Sequence, residues 1–279
     1  MSRVRSGVLA AWASAWLAGE AAYDDVVAHV TGRDEPHRVT GLTGPAGLPA
    51  DEAPLGWALT VLRERCPEGV RVVLPVPGDP RGLPLRTAAG SIGPAGPAGP
   101  AGPGGDGSAA FAAAAMAAGE GVVGRGVGLA PELTEHGSAL GSRTTSVRWT
   151  LYAIGETAPD PLTVAEAEHD LTEALRSSAA ALTALDVATW RPELAAELAR
   201  VRRRPAAPDL PPGHDARAVR LLAQADRLAT VLDLAAADAP GGSVNAHDAR
   251  ERDEALRPLA TAVRRARGAA YNAVPSRHR

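Results

Sequence analysis

Between Pro131 and Ser146 the chain gathers Glu132, Thr134, Glu135, His136, Ser138, Ser142, Arg143, Thr144, Thr145 and Ser146, its densest run of chemically capable side chains. On extended backbone, residues two apart project from the same face. His136 could therefore approach the Ser138 hydroxyl as a base, with Glu135 or Glu132 orienting the imidazole. A metal-free hydrolase or transferase needs that set. Arg143 and the hydroxyls beyond Gly141 could instead hold a carboxylate or a phosphate. The plain alternative is a polar connection rich in turn formers, because no nucleophile motif frames Ser138. In Gly137-Ser-Ala-Leu-Gly141 the serine directly follows its glycine, whereas the nucleophile elbow sets the serine centrally.

The loop from Leu74 to Pro84 follows a predicted buried strand, where α/β proteins often bind ligands, and its Asp79 and Arg81 could contact one; a rigid proline turn is the commoner meaning. Gly119, Gly121 and Gly124 match GxGxxG in the wrong context. The dinucleotide fingerprint needs a strand before the glycines and a helix after them, and here Ala-rich sequence precedes while Gly126, Gly128 and Pro131 follow. Glu166 and His169 stand three apart on a predicted helix, as in bundle-type di-iron sites, but no second such pair exists and Glu166 is explained by capping. His214 and His247 each precede an aspartate near a helix start, which solvated first-turn positions explain. No catalytic residue is assigned outright. Glu135, His136 and Ser138 are the catalytic candidates, Arg143, Asp79 and Arg81 the ligand-binding ones, and no metal or cofactor is expected.

Composition removes whole classes of chemistry. All 29 basic residues are arginine. Schiff-base enzymes, P-loop hydrolases and protein kinases rely on an ammonium group, which guanidinium cannot replace in the first and rarely does in the others. The single cysteine, Cys66, excludes an internal disulfide, a CxxC pair and a Cys-rich metal site; its place before Pro67 fits a small buried residue better than a nucleophile. Net charge is −3, with 12 arginines against 16 acids up to Pro161 and 17 against 16 after it. Neither half is a basic nucleic-acid module. The clusters Arg202-Arg203-Arg204 and Arg264, Arg265, Arg267 fit helix C-termini, so nucleic-acid binding through arginine stands only as a third reading.

The uncharged stretch Gly7 to Gly19 follows Arg3 and Arg5 as a signal peptide would, yet it carries Trp12 and Trp16 and lacks a cleavage site of small residues. It is also shorter than the roughly 20 apolar residues that span a bilayer. Val8, Leu9, Trp12 and Trp16 share one helical face, which predicts a helix packed on a core of a cytoplasmic protein.

Around these residues the pattern predicts helices at Gly7–Ala18, Tyr23–Val30 and Leu55–Arg65, and strands at Val70–Val76 and from Thr145 to Ala153, with weaker ones at Val122–Leu129 and His37–Leu42. Gly93 to Gly107 repeats Gly-Pro-Ala too briefly for a collagen helix and reads as a disordered insertion. After Pro159-Asp160-Pro161 the pattern turns helical. Thr163 and Glu166 form a capping box ahead of Leu171, Leu175, Leu182 and Leu185. Pro192 starts a second helix, and Ala218, Leu221, Leu222, Ala225, Leu228, Leu232 and Ala235 line a third that Gly241-Gly242 ends. Asn245 caps a fourth through Val274, kinked or restarted at Pro258.

The strings LPVPGDPRGLP, PELTEHGSALGSRTTSVRW, WRPELAAELA and EALRPLATAVRRARGAAYNAV resemble a group of uncharacterised actinobacterial proteins. The resemblance covers most of the chain and implies no activity, cofactor or catalytic residue. The resulting expectation is an α+β protein: an α/β domain over 1–158 with a short mixed or antiparallel sheet and a disordered insertion at 88–109, then a four-helix domain over 159–279. Its expected function is the binding of a small molecule or a protein partner, without nucleic acid or membrane, through a cleft bordered by Pro131–Ser146 and the loop after Val76.

Overall fold

The computed structural model describes residues 3–34, 36–41, 52–84, 107–137, 143–158, 162–184, 208–237 and 246–273, with backbone alone for 184, 237, 246–249 and 252. The described residues fall into two units: those within Val4–Pro161 together with Asp209–Gly213, and those within Leu162–Pro208 and His214–Arg279 together with Arg3.

The first unit is built on a six-stranded mixed sheet, in the order β2-β1-β6-β5-β4-β3. Its strands are β1 (His37–Thr40), β2 (Ala53–Pro54), β3 (Arg71–Val73), β4 (Gly121–Gly124), β5 (Val127–Gly137) and β6 (Arg143–Ala153), and only the β1/β6 pair is parallel. The period-2 alternation around Trp149 does what it predicts. Val147, Trp149 and Leu151 are buried on one face, with Leu129, Val122, Val72 and Val39 beside them by register. The helices α1 (Arg5–Leu17), α2 (Tyr23–Thr31) and α3 (Leu55–Arg65) belong to this unit; α1 packs on β3 and β4, and α3 on β1.

A further helix, α4 (Ser108–Ala118), covers the other face. There Phe111 and Ala115 pack with Val73, Leu83, Val123, Ala130 and Ile154. A side chain at Gly128 would strike the Phe111 ring at 2.7 Å, so the helix can lie this close only over glycine. The sequence pattern assigns no element to the Ala-rich stretch, and α4 begins inside the segment expected as the 88–109 insertion. Residues 85–106 lie outside the described residues.

Three further expectations are corrected. α1 is buried on nearly all sides, from Ser6 to Ala13 and at Ala15, instead of along one stripe, because its many small residues admit neighbours all round. Its first turn is capped from afar: Glu120 accepts the Ser6 amide at 2.7 Å. The strand expected over Val70–Val76 is regular only at Arg71–Val73, after which prolines interrupt it, and the turn Val76–Asp79 closes by mutual backbone bonds. Val122–Leu129 is two strands of a hairpin turned at Arg125-Gly126.

In the second unit, α5 (Val164–Ala184), α6 (Ala216–Ala237) and α7 (Ala246–Tyr271) are described, and α7 packs against both others. The capping box is present, since Thr163 donates its amide to Glu166 and its hydroxyl accepts the Glu166 amide at 3.2 Å. Ala218, Leu221, Leu222 and Ala225 are buried along α6, whose first turn is held by Asp215 accepting the Ala218 amide at 2.8 Å. α7 runs through Pro258 as one helix, so no restart occurs. Near the proline the Ser178 hydroxyl of α5 donates to the Ala255 carbonyl, offering a donor where the helical ladder is disturbed. The second helix of this region, expected from Pro192, and the helix-end signals Gly241-Gly242 and Asn245 lie outside the described residues.

Candidate functional site

β5 and β6 pair along their whole lengths, from Val127 with Ala153 to Gly137 with Arg143. β4 accompanies β5 only through Leu129, and β1 accompanies β6 only from Val147. The ends of the two strands therefore form an arm past their neighbours, and residues 132–137, 143 and 144 are exposed. Of the two readings of the polar run, extended backbone and turn-rich connection, the first holds for the described residues, since 131–137 and 143–146 are strand.

Alternation along the arm decides which groups meet. His136 and Ser146 share a face, with His136 Nε2 and Ser146 Oγ at 2.9 Å. Glu132 lies on the same face and accepts from Arg148 at 3.2 Å, while Glu52 accepts from the Arg148 Nε at 2.8 Å. Hydrogen bonding by Glu52, then by Glu132, raises the Arg148 pKa, so the guanidinium is held charged. Glu135 is on the opposite face beside Arg143, 3.8 Å away. It cannot orient His136, because adjacent strand residues point apart. Ser138 and Ser142 lie outside the described residues. The hydroxyl the structure brings to His136 is that of Ser146, ten residues on, which strand pairing reveals and linear spacing does not.

Asp79 and Arg81 pair with each other at 3.1 Å in the loop after β3. A cavity of about 480 Å³ beside the arm is lined by Ala130–Leu133, Glu120, Thr150, Tyr152 and alanines of α4, not by that loop. A second, of about 830 Å³, lies at the start of β1 among Tyr23, His37, Arg38, Leu55 and Thr144.

Other candidates take structural roles. Gly119 ends α4 in the left-handed conformation at φ 71°, and a side chain at Gly124 would meet the Cys66 sulfur, so the GxGxxG glycines follow a helix and serve packing, the reverse of the dinucleotide arrangement. Cys66 is buried, which pushes its thiol pKa up and away from nucleophilic use. Glu166 is occupied by capping, and His169 is exposed. His214 corrects the solvated reading: its Nε2 lies 2.8 Å from the Ala270 carbonyl near the end of α7. Of the His247 side chain nothing is described. Among the described residues no three His, Cys, Asp or Glu side chains could together hold a metal, and no helix is long and apolar enough to cross a membrane.

Sequence reasoning missed the backbone of the arm. In the hairpin turned at Arg125-Gly126, the closing pair Gly124 and Val127 exchanges bonds, so odd-numbered residues of β5 aim their amides toward β4 and even-numbered ones toward β6. The Ile154 amide donates to Gly126 on the β6 side, in keeping with that parity. Beyond Leu129 the β4 side of β5 has no strand partner among the described residues. Leu133, Glu135 and Gly137 thus turn amide and carbonyl groups outward. Pro131, which has no amide to donate, stands at an outward position as it must.

Two family profiles match the chain. One, described as the N-terminal domain of an Rv1486c-like protein, matches residues 6–101 and 99–165; the other, described as the C-terminal domain, matches 165–268. The chain is similar to the uncharacterized protein Rv1486c of Mycobacterium tuberculosis strain H37Rv, at 31% identity over 300 residues and 95% of each chain. It is also similar to the uncharacterized protein ML1804 of Mycobacterium leprae, at 27% identity over 309 residues and 95% of each chain. No solved structure matches it.

Proposed function

Because the chain belongs to the Rv1486c-like protein family, an actinobacterial group whose matched members carry no activity in their names, we propose from its own geometry that it is a cytoplasmic protein-interaction protein. Its contact surface is the edge of β5 beyond Leu129, which has no strand partner among the described residues and takes up an extended segment of a partner as an added strand. One observation carries this reading. From Leu133 to Gly137 the edge offers backbone donors and acceptors in register, on a strand whose other edge is fully bonded to β6. Leu133, 45% exposed, supplies an apolar contact on one face of that edge. The reading uses no cofactor, and a lone buried cysteine suits a reducing compartment. It places the domain boundary at 158/159, with the interaction surface in the first domain.

Strand addition depends on outward amides, so Glu135→Pro removes one without breaking a bond to β6. Twelve-residue peptides selected from a random library for binding to the full chain are expected to bind Glu135→Pro at least tenfold more weakly, with thermal unfolding unchanged. Peptides binding both proteins alike would defeat the reading.

A second reading keeps the His136–Ser146 contact as the base and nucleophile of a metal-free hydrolase. It requires turnover of ester or phosphoester probes that His136→Ala abolishes. The exposure of His136 on the arm, with Glu135 on the far face, weighs against it.

A further inference from the structure

We propose that the partner is a second copy of this chain, whose β5 adds antiparallel across the open edge of β5 with the two Thr134 residues opposite one another. This rests on the strand-addition reading and adds an occupant and a register to it.

Backbone direction limits the registers. Only odd-numbered residues of β5 present amides and carbonyls outward, so a bonded pair must join an odd residue to an odd residue, and the two-fold axis must pass through a residue position. The strand β4 removes the inner registers. With the axis at Leu133 or before it, the partner's Gly137 would fall opposite Leu129 or residues preceding it, and Leu129 already pairs with Val122. The axis at Glu135 sets two Glu135 carboxylates directly opposite on one face, which like charges disfavour.

With the axis at Thr134 these conflicts vanish. Leu133 lies opposite the partner's Glu135 and exchanges two bonds with it, and symmetry repeats them, giving four. Between these pairs the side chains at even positions approach most closely, at about 4.5 Å between Cα atoms. Glu132 then faces the partner's His136, an acid against a base, twice in the dimer. Thr134 faces the partner's Thr134, a pairing that favours strands. Glu132 bonds Arg148 through Oε2, and His136 meets Ser146 through Nε2, which leaves Oε1 and Nδ1 for a contact across the seam. From Glu132 to Gly137 the edge has no proline to interrupt its outward amides, and Pro131 marks its inner limit.

Sedimentation equilibrium of the full chain tests this. The wild type is expected to dimerise below about 1 mM. Glu135→Pro is expected to abolish association. His136→Glu sets two Glu pairs across the axis, and Glu132→Arg sets two Arg–His pairs, so each alone raises Kd at least about tenfold, a modest loss by the usual conversion. Mixed together they form one native pair and one Arg–Glu pair, and association returns. A wild type that stays monomeric to about 1 mM, a dimer indifferent to Glu135→Pro, or a mixture no better than its components overturns the proposal. If the chain is monomeric yet selected peptides still require the Glu135 amide, the edge takes single strands and only the second copy is lost; if neither occurs, strand addition falls too.

Discussion

A buried indole N–H needs an acceptor, and Trp149, the largest fully buried side chain of the sheet, finds one in His37 of the neighbouring β1 at 3.1 Å. The donor is unambiguous, so His37 Nδ1 carries no proton in this contact. The bond joins the parallel pair β1/β6 at the register His37 to Val147 and Val39 to Trp149, where a one-residue slip of either strand would turn its side chain to the wrong face and part the two rings. Trp149→Phe keeps an aromatic ring but removes the donor and leaves a void. It is expected to cost roughly 2–4 kcal/mol in urea unfolding. A loss under about 0.5 kcal/mol would mean that neither the indole N–H nor the volume it fills holds the strand. The same alternation separates Glu135 from His136, and it was available in the sequence once the run was seen to be strand.

Elements whose signals are local were legible before the structure. Leu55–Arg65 is helical over the span its pattern predicts, the alternation around Trp149 is a strand, and the capping box at Thr163 is made. Signals that depend on distant partners were not. The Ala-rich α4 has no apolar stripe to read and is fixed by Gly128 beneath Phe111, while Ser146 reaches His136 only through the β5/β6 register. The capping box gives the element-scale prediction. The Thr163 hydroxyl, then its amide, holds the Glu166 carboxyl below its ordinary value of 4.5. A depressed folded pKa means the contribution is present above the unfolded value and is lost as pH falls through the folded one. Exchange of the Glu166 and Ala167 amides is therefore expected to quicken, relative to mid-helix amides of α5, as pH drops through and below about 4. Thr163→Ala should show the faster exchange at every pH. An unchanged ratio in the wild type would mean the box does not hold the first turn in solution.

At the scale of the whole chain, sequence order and folded unit part company. The chain leaves the first unit after Pro161, yet Asp209–Gly213 belongs to it again. Asp209 explains why: its Oδ1 accepts from Trp12 Nε1 at 3.1 Å and lies 2.6 Å from His29 Nδ1, while the Trp12 and His29 rings stack with centroids 3.8 Å apart. Trp12 is 4% exposed, so its N–H has little access to water as a substitute acceptor. A proposed boundary at 158/159 read from composition places this carboxylate in the second domain, although its bonds stabilise α1 and α2. Asp209→Ala in the full chain is expected to cost about 1–2 kcal/mol locally. Amide exchange in α1 and α2 should then rise about five- to thirtyfold, while amides of α6 and α7 hold their rates. An equal rise in both sets would show that the loss of Asp209 is not local to α1 and α2, and a rise confined to α6 and α7 would return the segment to the bundle that its place in the sequence suggests.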